Sequence, residues 1–144
     1  MNERIDPKDC IFCKIVAGQA AAHVVHEDER TLVFMDIFPV ADGHVLLIPK
    51  SHCTNLLDAD PQDLEALIVR ARGVAHAIRD VLAPDGIGAF QLNGAAAGQT
   101  VFHYHLHLIP RHAGDGLQVH GRTPGDPARL AMLAEKLAAG LGLA

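Results

Sequence analysis

Three histidines at alternate positions are the residues whose types and spacing most directly indicate chemistry. His103, His105 and His107 are separated and followed by bulky apolar or aromatic residues. Because a β-strand directs successive side chains to opposite faces, this alternation predicts that the three imidazoles share one face. The intervening side chains would then enter a core on the other face; they are Tyr104, Leu106 and Leu108.

A row of three imidazoles on one face is unfavourable unless the rings have partners, because buried polar groups without hydrogen bonds destabilise a fold. The residues alone leave three interpretations open: a metal cluster, a nucleophile with supporting groups, or a solvated strand face. The strict spacing makes the solvated face the weakest of the three. The row therefore indicates a ligand, a metal or a reaction.

Composition restricts the class of protein. The chain has 144 residues, 49% of them hydrophobic, and a formal net charge of −5. We expect one domain over 1–144 and no broad nucleic-acid surface, because a phosphate backbone requires a basic partner. No apolar run approaches the roughly 20 residues that span a bilayer, and the polar N-terminus is unlike a signal peptide. We therefore expect a cytoplasmic protein with no membrane partner.

Cys10 and Cys13 form a CxxC pair near the N-terminus. Taken alone, this pair is consistent with a redox couple, with half of a metal site or with two core thiols. The surrounding sequence has none of the features of a thioredoxin-like redox motif. Three cysteines without a secretory signal also do not indicate a disulfide framework.

The elements that position these residues follow from hydrophobic periodicity and turn residues. Asp9 is the expected cap of a short helix over 10–17, and an aspartate and a proline open a long helix over 60–82. A last helix is expected over 127–144, after a glycine-rich connector over 112–126. The predicted strands cover 23–27, 31–36, 44–49, 88–93 and 103–109.

The row of histidines resembles the signature of the histidine triad (HIT) family, His-φ-His-φ-His-φ-φ, in which φ is apolar. The segment directly before the row, 98–102, belongs to the same resemblance. Upstream segments resemble the family's purine- and ribose-binding blocks and follow the family's order. These segments are 11–15, 34–37, 43–46 and 48–52, and the resemblance as a whole runs over 9–111.

The resemblance implies an α+β fold, in which a long helix covers an antiparallel sheet of about five strands. The HIT core would be 9–111, and the C-terminal helix lies outside the resemblance. HIT proteins of the Hint-like branch, to which this chain looks closest, pair two subunits into a homodimer with a continuous sheet. A homodimer is therefore expected.

The resemblance also implies residue roles in a reaction. His105, the middle histidine, would be the nucleophile that attacks phosphorus, because a neutral imidazole is nucleophilic near pH 7. His107 would stabilise the charge on the phosphate oxygens. Thr100 would donate a hydrogen bond or relay a proton near the leaving group, and His44 would orient the triad through hydrogen bonds.

A purine nucleotide is the implied ligand. Asp36 would accept hydrogen bonds from the ribose hydroxyls, and Asn93 and Gln99 match positions that contact the phosphate or its leaving group. The remaining implied nucleotide-binding residues are Phe12, Ile15, Phe34, Ile37 and His107.

Some HIT proteins, and the related galactose-1-phosphate uridylyltransferases, bind zinc through a CxxC and two histidines. The matching set here is Cys10, Cys13, His52 and His103. Two thiolates and two imidazoles make a closed tetrahedral site, so the implied zinc is structural rather than catalytic. It would also hold the strand that presents His105. No organic cofactor is implied.

The function implied by the resemblance is hydrolysis or nucleotidyl transfer that releases AMP or GMP from a phosphoramidate or an acyl-nucleotide. Alternatives are a dinucleoside polyphosphate hydrolase, a non-catalytic nucleotide-binding regulator, and a redox or chaperone protein built on the CxxC. Among the histidines outside the motifs, His76 in the long helix is expected to be structural, and the others are expected to be surface or packing residues; they are His23, His26, His112 and His120.

Overall fold

A five-stranded antiparallel sheet forms the centre of the fold. The computed structural model describes residues 3–142. The strands are β1, Val24–Glu27; β2, Thr31–Met35; β3, Val45–Pro49; β4, Gly86–Gln91; and β5, Leu106–Arg111. They lie in the order β1-β2-β3-β5-β4, and each neighbouring pair is antiparallel. The predicted α+β class with about five strands is confirmed.

Between residues 3 and 142, three α-helices accompany the sheet, and their bounds are α1, Ile11–Val16; α2, Pro61–Leu82; and α3, Pro127–Leu141. The long helix α2 begins as predicted, because the Asp60 carboxylate accepts a hydrogen bond from the Gln62 N–H at 2.8 Å. The last predicted helix ends at Leu141, and positions 143 and 144 lie outside the described residues. Within residues 3–142, no helix has both the length and the apolar composition needed to cross a bilayer.

The central strands are buried on both faces, so each face of the sheet has its own apolar cluster. Val33 and Leu47 pack into the larger cluster with α2 and α3. Phe34 follows Val33 in β2, and Leu46 precedes Leu47 in β3. Both pack into a smaller cluster with α1 on the opposite face. This period of two is the strand geometry that the sequence predicts. The helices α2 and α3 therefore close one face and leave the other to α1 and a cavity.

The histidines of the row face the predicted side of the sheet, but the strand is shorter at its start than predicted. Leu106 and Leu108 join the cluster under α2 and α3, whereas His107 pairs with Leu46 on the opposite face. The strand starts only at Leu106, not at residue 103. The ladder cannot extend further because Pro49 has no N–H and its carbonyl accepts a hydrogen bond from the His103 ring at 2.8 Å.

The cap of the first helix also differs from the prediction. Asp9 closes a 3₁₀ turn, Pro7–Asp9, whose own cap is Asp6. Cys10 is the actual N-cap of α1, and its Sγ accepts a hydrogen bond from the Cys13 N–H at 3.3 Å. A thiol that caps the helix is thereby held toward its CxxC partner.

We predict that Leu47→Ala lowers the free energy of unfolding by about 2–5 kcal/mol, because it removes a fully buried side chain from the cluster beneath α2. Urea unfolding at pH 7 measures the change. The matched control is Leu57→Ala, since Leu57 is 72% exposed, and its effect should stay below about 0.5 kcal/mol. Equal losses in the two variants would contradict the packing described above.

Candidate functional site

A cavity of about 390 Å³ opens on the face of the sheet that carries α1. Its walls are mostly apolar, and Phe12 and Phe34 meet edge to face there with ring centroids 5.4 Å apart. Ile15 and Ile37 also line it. Polar groups enter the same cavity from Asp36, Thr100, His105 and His107. An apolar pocket with a few convergent polar groups is the usual form of a small-molecule site.

Hydrogen bonding decides which nitrogen of His105 carries the proton. Its Nδ1 lies 2.7 Å from the carbonyl oxygen of His103. Because a carbonyl can only accept, Nδ1 donates, and Nε2 of the neutral ring keeps its lone pair. The ring packs edge to face against Phe12, with centroids 5.2 Å apart, and lines the cavity. His105 therefore has the tautomer that a nucleophile at Nε2 requires.

A second chain of hydrogen bonds sets the tautomer of His107. The Val40 N–H donates to His44 Nδ1 at 3.0 Å, so the hydrogen of the neutral His44 ring is on Nε2. That nitrogen lies 2.9 Å from His107 Nδ1, which must accept, and His107 therefore carries its hydrogen on Nε2. His107 Nε2 is buried and has no hydrogen-bond partner among the described residues. The site thus holds an unpaired N–H donor on a ring that lines the cavity.

Burial keeps these rings neutral. Desolvation lowers the pKa of His44 to about 4 and that of His107 to about 2, with the neighbouring His105 contributing to the latter. Burial also lowers the pKa of His105, against the raising effect of its bond to the His103 carbonyl. The lone pair of His105 is therefore present at neutral pH, and so is the hydrogen bond from His44 to His107.

Asp36 lies beside the two paired rings. Its Oδ1 accepts a hydrogen bond from the Phe38 N–H at 2.8 Å, and its Oδ2 lies 3.3 Å from His44 Nε2. Burial raises the pKa of Asp36. Asp36, His44 and His107 are close enough together to bind a metal. The hydrogen bond between His44 and His107 already explains why these two rings are close.

The four predicted metal ligands come together behind the cavity. The candidate ligand atoms of Cys10, Cys13, His52 and His103 all lie within 4.8 Å of one another. His52 Nδ1 is 3.2 Å from Cys13 Sγ and 3.2 Å from His103 Nδ1, and His103 Nδ1 is 3.4 Å from Cys10 Sγ. Tetrahedral zinc with its usual bond lengths separates its ligand atoms by about 3.3–3.8 Å.

The tautomer of His103 also fits a metal ligand. Its Nε2 donates to the Pro49 carbonyl, so its Nδ1 has a lone pair directed at the two sulfurs and His52. A backbone carbonyl on the far nitrogen is a common support for a metal-bound imidazole. Burial raises the pKa of the Cys13 thiol to about 12, and the adjacent Cys10 contributes. A divalent cation would offset this penalty by favouring the thiolate.

Two residues predicted to contact the nucleotide make hydrogen bonds to the protein backbone in this structure. Gln99 is buried, accepts from the Gly94 N–H at 2.8 Å and donates to the Thr54 carbonyl at 2.7 Å. Asn93 accepts from a backbone N–H at 2.8 Å. Neither side chain lines the cavity, whereas Thr100 does. The contact of Asn93 and Gln99 with a phosphate stays a prediction.

His120 lies at the cavity, although its sequence context predicts a surface or packing role. Its Nε2 lies 2.7 Å from the Gly98 carbonyl oxygen, and its ring centroid is 5.7 Å from that of His107. The residue belongs to a connector with no hydrophobic periodicity, so no sequence pattern indicates that this segment folds back over the site.

Residues 17–114 match the family model described as the HIT domain. The chain therefore belongs to the HIT family, whose members bind nucleotides. The match begins after the CxxC and ends before His120, so both features lie outside the part that the family model covers.

Individual relatives agree with this assignment. The protein named Protein hit of Bacillus subtilis (strain 168) is 42% identical over 120 residues, which is 83% of each chain. A zinc-bound histidine triad family protein from Mycobacterium smegmatis has a TM-score of 0.83 and 38% identity over 96% of each chain. Adenylylsulfatase HINT3 of Arabidopsis thaliana is 38% identical over 109 residues, 76% of this chain and 55% of that protein.

The lowered pKa of His107 makes unfolding pH-dependent. Because that pKa is about 2 in the fold against an ordinary 6.5, the unfolded chain binds the extra proton between these values. The free energy of unfolding should therefore decrease as pH falls from 6.5, by up to about 1.4 kcal/mol per pH unit for this one group. Urea titrations between pH 6.5 and 4.5 should show a shallower slope for His107→Gln than for the wild type.

The control for this slope is His112→Gln, because the His112 side chain is 61% exposed. It should keep the wild-type pH dependence. An unchanged slope in His107→Gln would contradict the lowered pKa.

Proposed function

We propose that the chain is a purine-nucleotide hydrolase or nucleotidyl transferase that works through a nucleotidyl-histidine at His105. One observation carries this proposal. The His105 ring with its free Nε2 lone pair and the His107 ring with its unpaired N–H line one cavity, and their centroids are 5.0 Å apart. A nucleophile next to a donor for a negative oxygen is the arrangement that displacement at phosphorus requires.

The proposed reaction has two displacements. In the first, the His105 Nε2 lone pair forms a bond to phosphorus, and the bond from phosphorus to the leaving nitrogen or oxygen breaks with its electron pair. A leaving nitrogen takes up a proton and departs as an amine, and the Thr100 hydroxyl at the cavity wall is the proposed relay. In the second, water attacks phosphorus and loses a proton, His105 departs, and the nucleoside monophosphate is released.

The groups around His105 act by holding and orienting the reacting atoms. The His105 Nδ1–H stays bonded to the His103 carbonyl and stabilises the positive ring that forms when Nε2 bonds to phosphorus. The His107 N–H would bond a non-bridging phosphate oxygen, and His44 holds His107 in the tautomer that makes this possible. The apolar walls around Phe12 and Phe34 would hold the purine, and the Asp36 carboxylate would accept from the ribose hydroxyls.

We also propose zinc at Cys10, Cys13, His52 and His103, supported by the donor set, the ligand spacing and the zinc-bound Mycobacterium relative. When bound, zinc would supply a fixed tetrahedral link between α1 and the segment before β5. His103 would then be held through both its ring nitrogens, two residues before the nucleophile. The assembled protein is proposed to be a cytoplasmic homodimer.

Hydrolysis of dinucleoside polyphosphates would use the same nucleophile and differ only in the leaving group. A non-catalytic regulator would use the cavity without needing the lone pair of His105. The name of the Arabidopsis relative, an adenylylsulfatase, supports a substrate with an adenylyl group. The leaving group and the need for His105 therefore separate these functions.

We predict that the protein releases AMP from adenosine 5′-phosphoramidate and that His105→Ala lowers kcat at least about 10³-fold, because the covalent route is lost. Chromatographic measurement of AMP also ranks this substrate against a diadenosine polyphosphate. His112→Ala is the control and should keep wild-type kcat. Release that is unaffected in His105→Ala would overturn the proposed mechanism, and AMP binding without release would favour the regulator.

We predict about one zinc ion per chain, with a metal affinity at least tenfold lower in His52→Ala, because one of four ligands is removed. Metal analysis after dialysis against a competing chelator gives the occupancy, and Tm with and without the chelator gives the link to stability. His112→Ala should bind zinc as the wild type does. A wild-type chain that holds no zinc under reducing conditions would refute the site.

A further inference from the structure

The connector between β5 and α3 is anchored against the loop that follows β2. The Gly125 N–H donates to the Ile37 carbonyl at 2.8 Å. At Gly121 there is no room for a side chain, because a Cβ there would collide with the Phe38 carbonyl oxygen and lie 2.7 Å from that of Pro39. These contacts fix the connector where its neighbour His120 reaches the cavity.

His120 is held in one tautomer at this point. Its Nε2 lies 2.7 Å from the Gly98 carbonyl, which can only accept, so Nε2 donates and Nδ1 of the neutral ring has the lone pair. That Nδ1 makes no hydrogen bond within the part of the chain that the structure describes. Gly98 has a φ of +103°, a conformation that favours glycine, and it stands two residues before Thr100. His120 thus ties the connector to the turn that presents Thr100.

The aromatic rings along the cavity have a fixed order. Phe34 contacts Phe12, Phe12 contacts His105, His105 contacts His107, and His107 contacts His120. The apolar end holds the proposed purine site, and the two middle histidines hold the proposed phosphate site. His120 is at the other end of this series, where its ring lies beside His107 at the proposed phosphate site and its Nε2 meets the Gly98 carbonyl in the turn before Thr100.

We propose that His120 contacts the leaving group and selects one that carries an N–H. This inference rests on the proposed function, because it assigns a role at the far side of the same phosphate. The His120 Nδ1 lone pair can accept a hydrogen bond from the N–H of a phosphoramidate, which orients the nitrogen for protonation as the P–N bond breaks. A leaving carboxylate has only acceptors, so the neutral ring offers it no hydrogen bond. His120 is a specificity-determining residue, and phosphoramidates are the preferred class.

The test compares two substrates that differ in the leaving group, adenosine 5′-(N-butyl)phosphoramidate and butyryl-adenylate, at pH 8. His120→Ala should lower kcat/KM for the phosphoramidate about fivefold to tenfold, the effect of one neutral hydrogen bond. The value for butyryl-adenylate should change less than twofold. His120→Gln, whose amide both donates and accepts, should recover most of the phosphoramidate activity.

A binding measurement needs no turnover. Calorimetric titration with adenosine 5′-O-(N-butylsulfamate), an uncleavable analogue that keeps the N–H, should show about fivefold weaker binding in His120→Ala. AMP, which lacks a leaving group, should bind equally well to both proteins. Gly121→Ala, which displaces the connector, should reproduce the loss. Gly116→Ala is its matched control, because a Cβ at Gly116 meets open space.

Three results would overturn this inference: equal losses for AMP and the analogue, unchanged binding of both, or equal losses for the two substrates. The first would mean that His120 only supports the cavity. If the wild type cleaves neither substrate, the proposed function fails, and the difference between AMP and the sulfamate analogue still decides whether His120 contacts the group beyond the phosphate.

Discussion

The hydrogen bond from His105 Nδ1 to the His103 carbonyl is the interaction on which the rest of the site depends. It directs the one free lone pair of the ring to Nε2. The residue that supplies this carbonyl, His103, is itself held by the bond of its ring to the Pro49 carbonyl and by the cluster of two cysteines and His52. A nucleophile with the wrong tautomer would have the same position and no reactivity.

One face of the sheet carries the larger apolar cluster, and the other face carries the candidate site. Helices α2 and α3 bury one face in a continuous apolar cluster that includes residues of β3 and β5. The other face has a smaller cluster, and the cavity lies beside it. The histidine rings that are buried beside this cavity have lowered pKa values and lie on a well-buried sheet, which favours preorganised hydrogen bonds at a reacting centre; they are His44, His103, His105 and His107.

The sequence predicts those features that depend on local pattern or on a recognisable motif. Alternation correctly predicts the facing of the triad, and the turn residues correctly predict the start of α2 at Asp60. The four candidate metal ligands come together as the resemblance implies. Apolar spacing along α2 would also place Ile68 in the core, but Ile68 is 60% exposed, while Val74 is buried in the cluster that α2 shares with α3 and the sheet.

Long-range contacts account for what the sequence does not predict. The strand starts at Leu106 because the Pro49 carbonyl, distant in sequence, binds a side chain in place of a backbone N–H. The amide of Gln99 is occupied by the turn around Gly94 and by Thr54. His120 reaches the cavity through a connector without periodicity, anchored by the fit of Gly121 against the loop after β2. None of these contacts has a local sequence signal.

The proposed reaction passes through a covalent bond between His105 Nε2 and phosphorus. The most direct measurement is rapid acid-free quenching of the wild-type protein with adenosine 5′-phosphoramidate, followed by peptide mapping of the adduct by mass spectrometry under alkaline conditions. We expect an acid-labile, base-stable adenylyl group on the peptide that contains His105, formed and lost at rates that match turnover. AMP production without such an adduct, or an adduct on another residue, would contradict it.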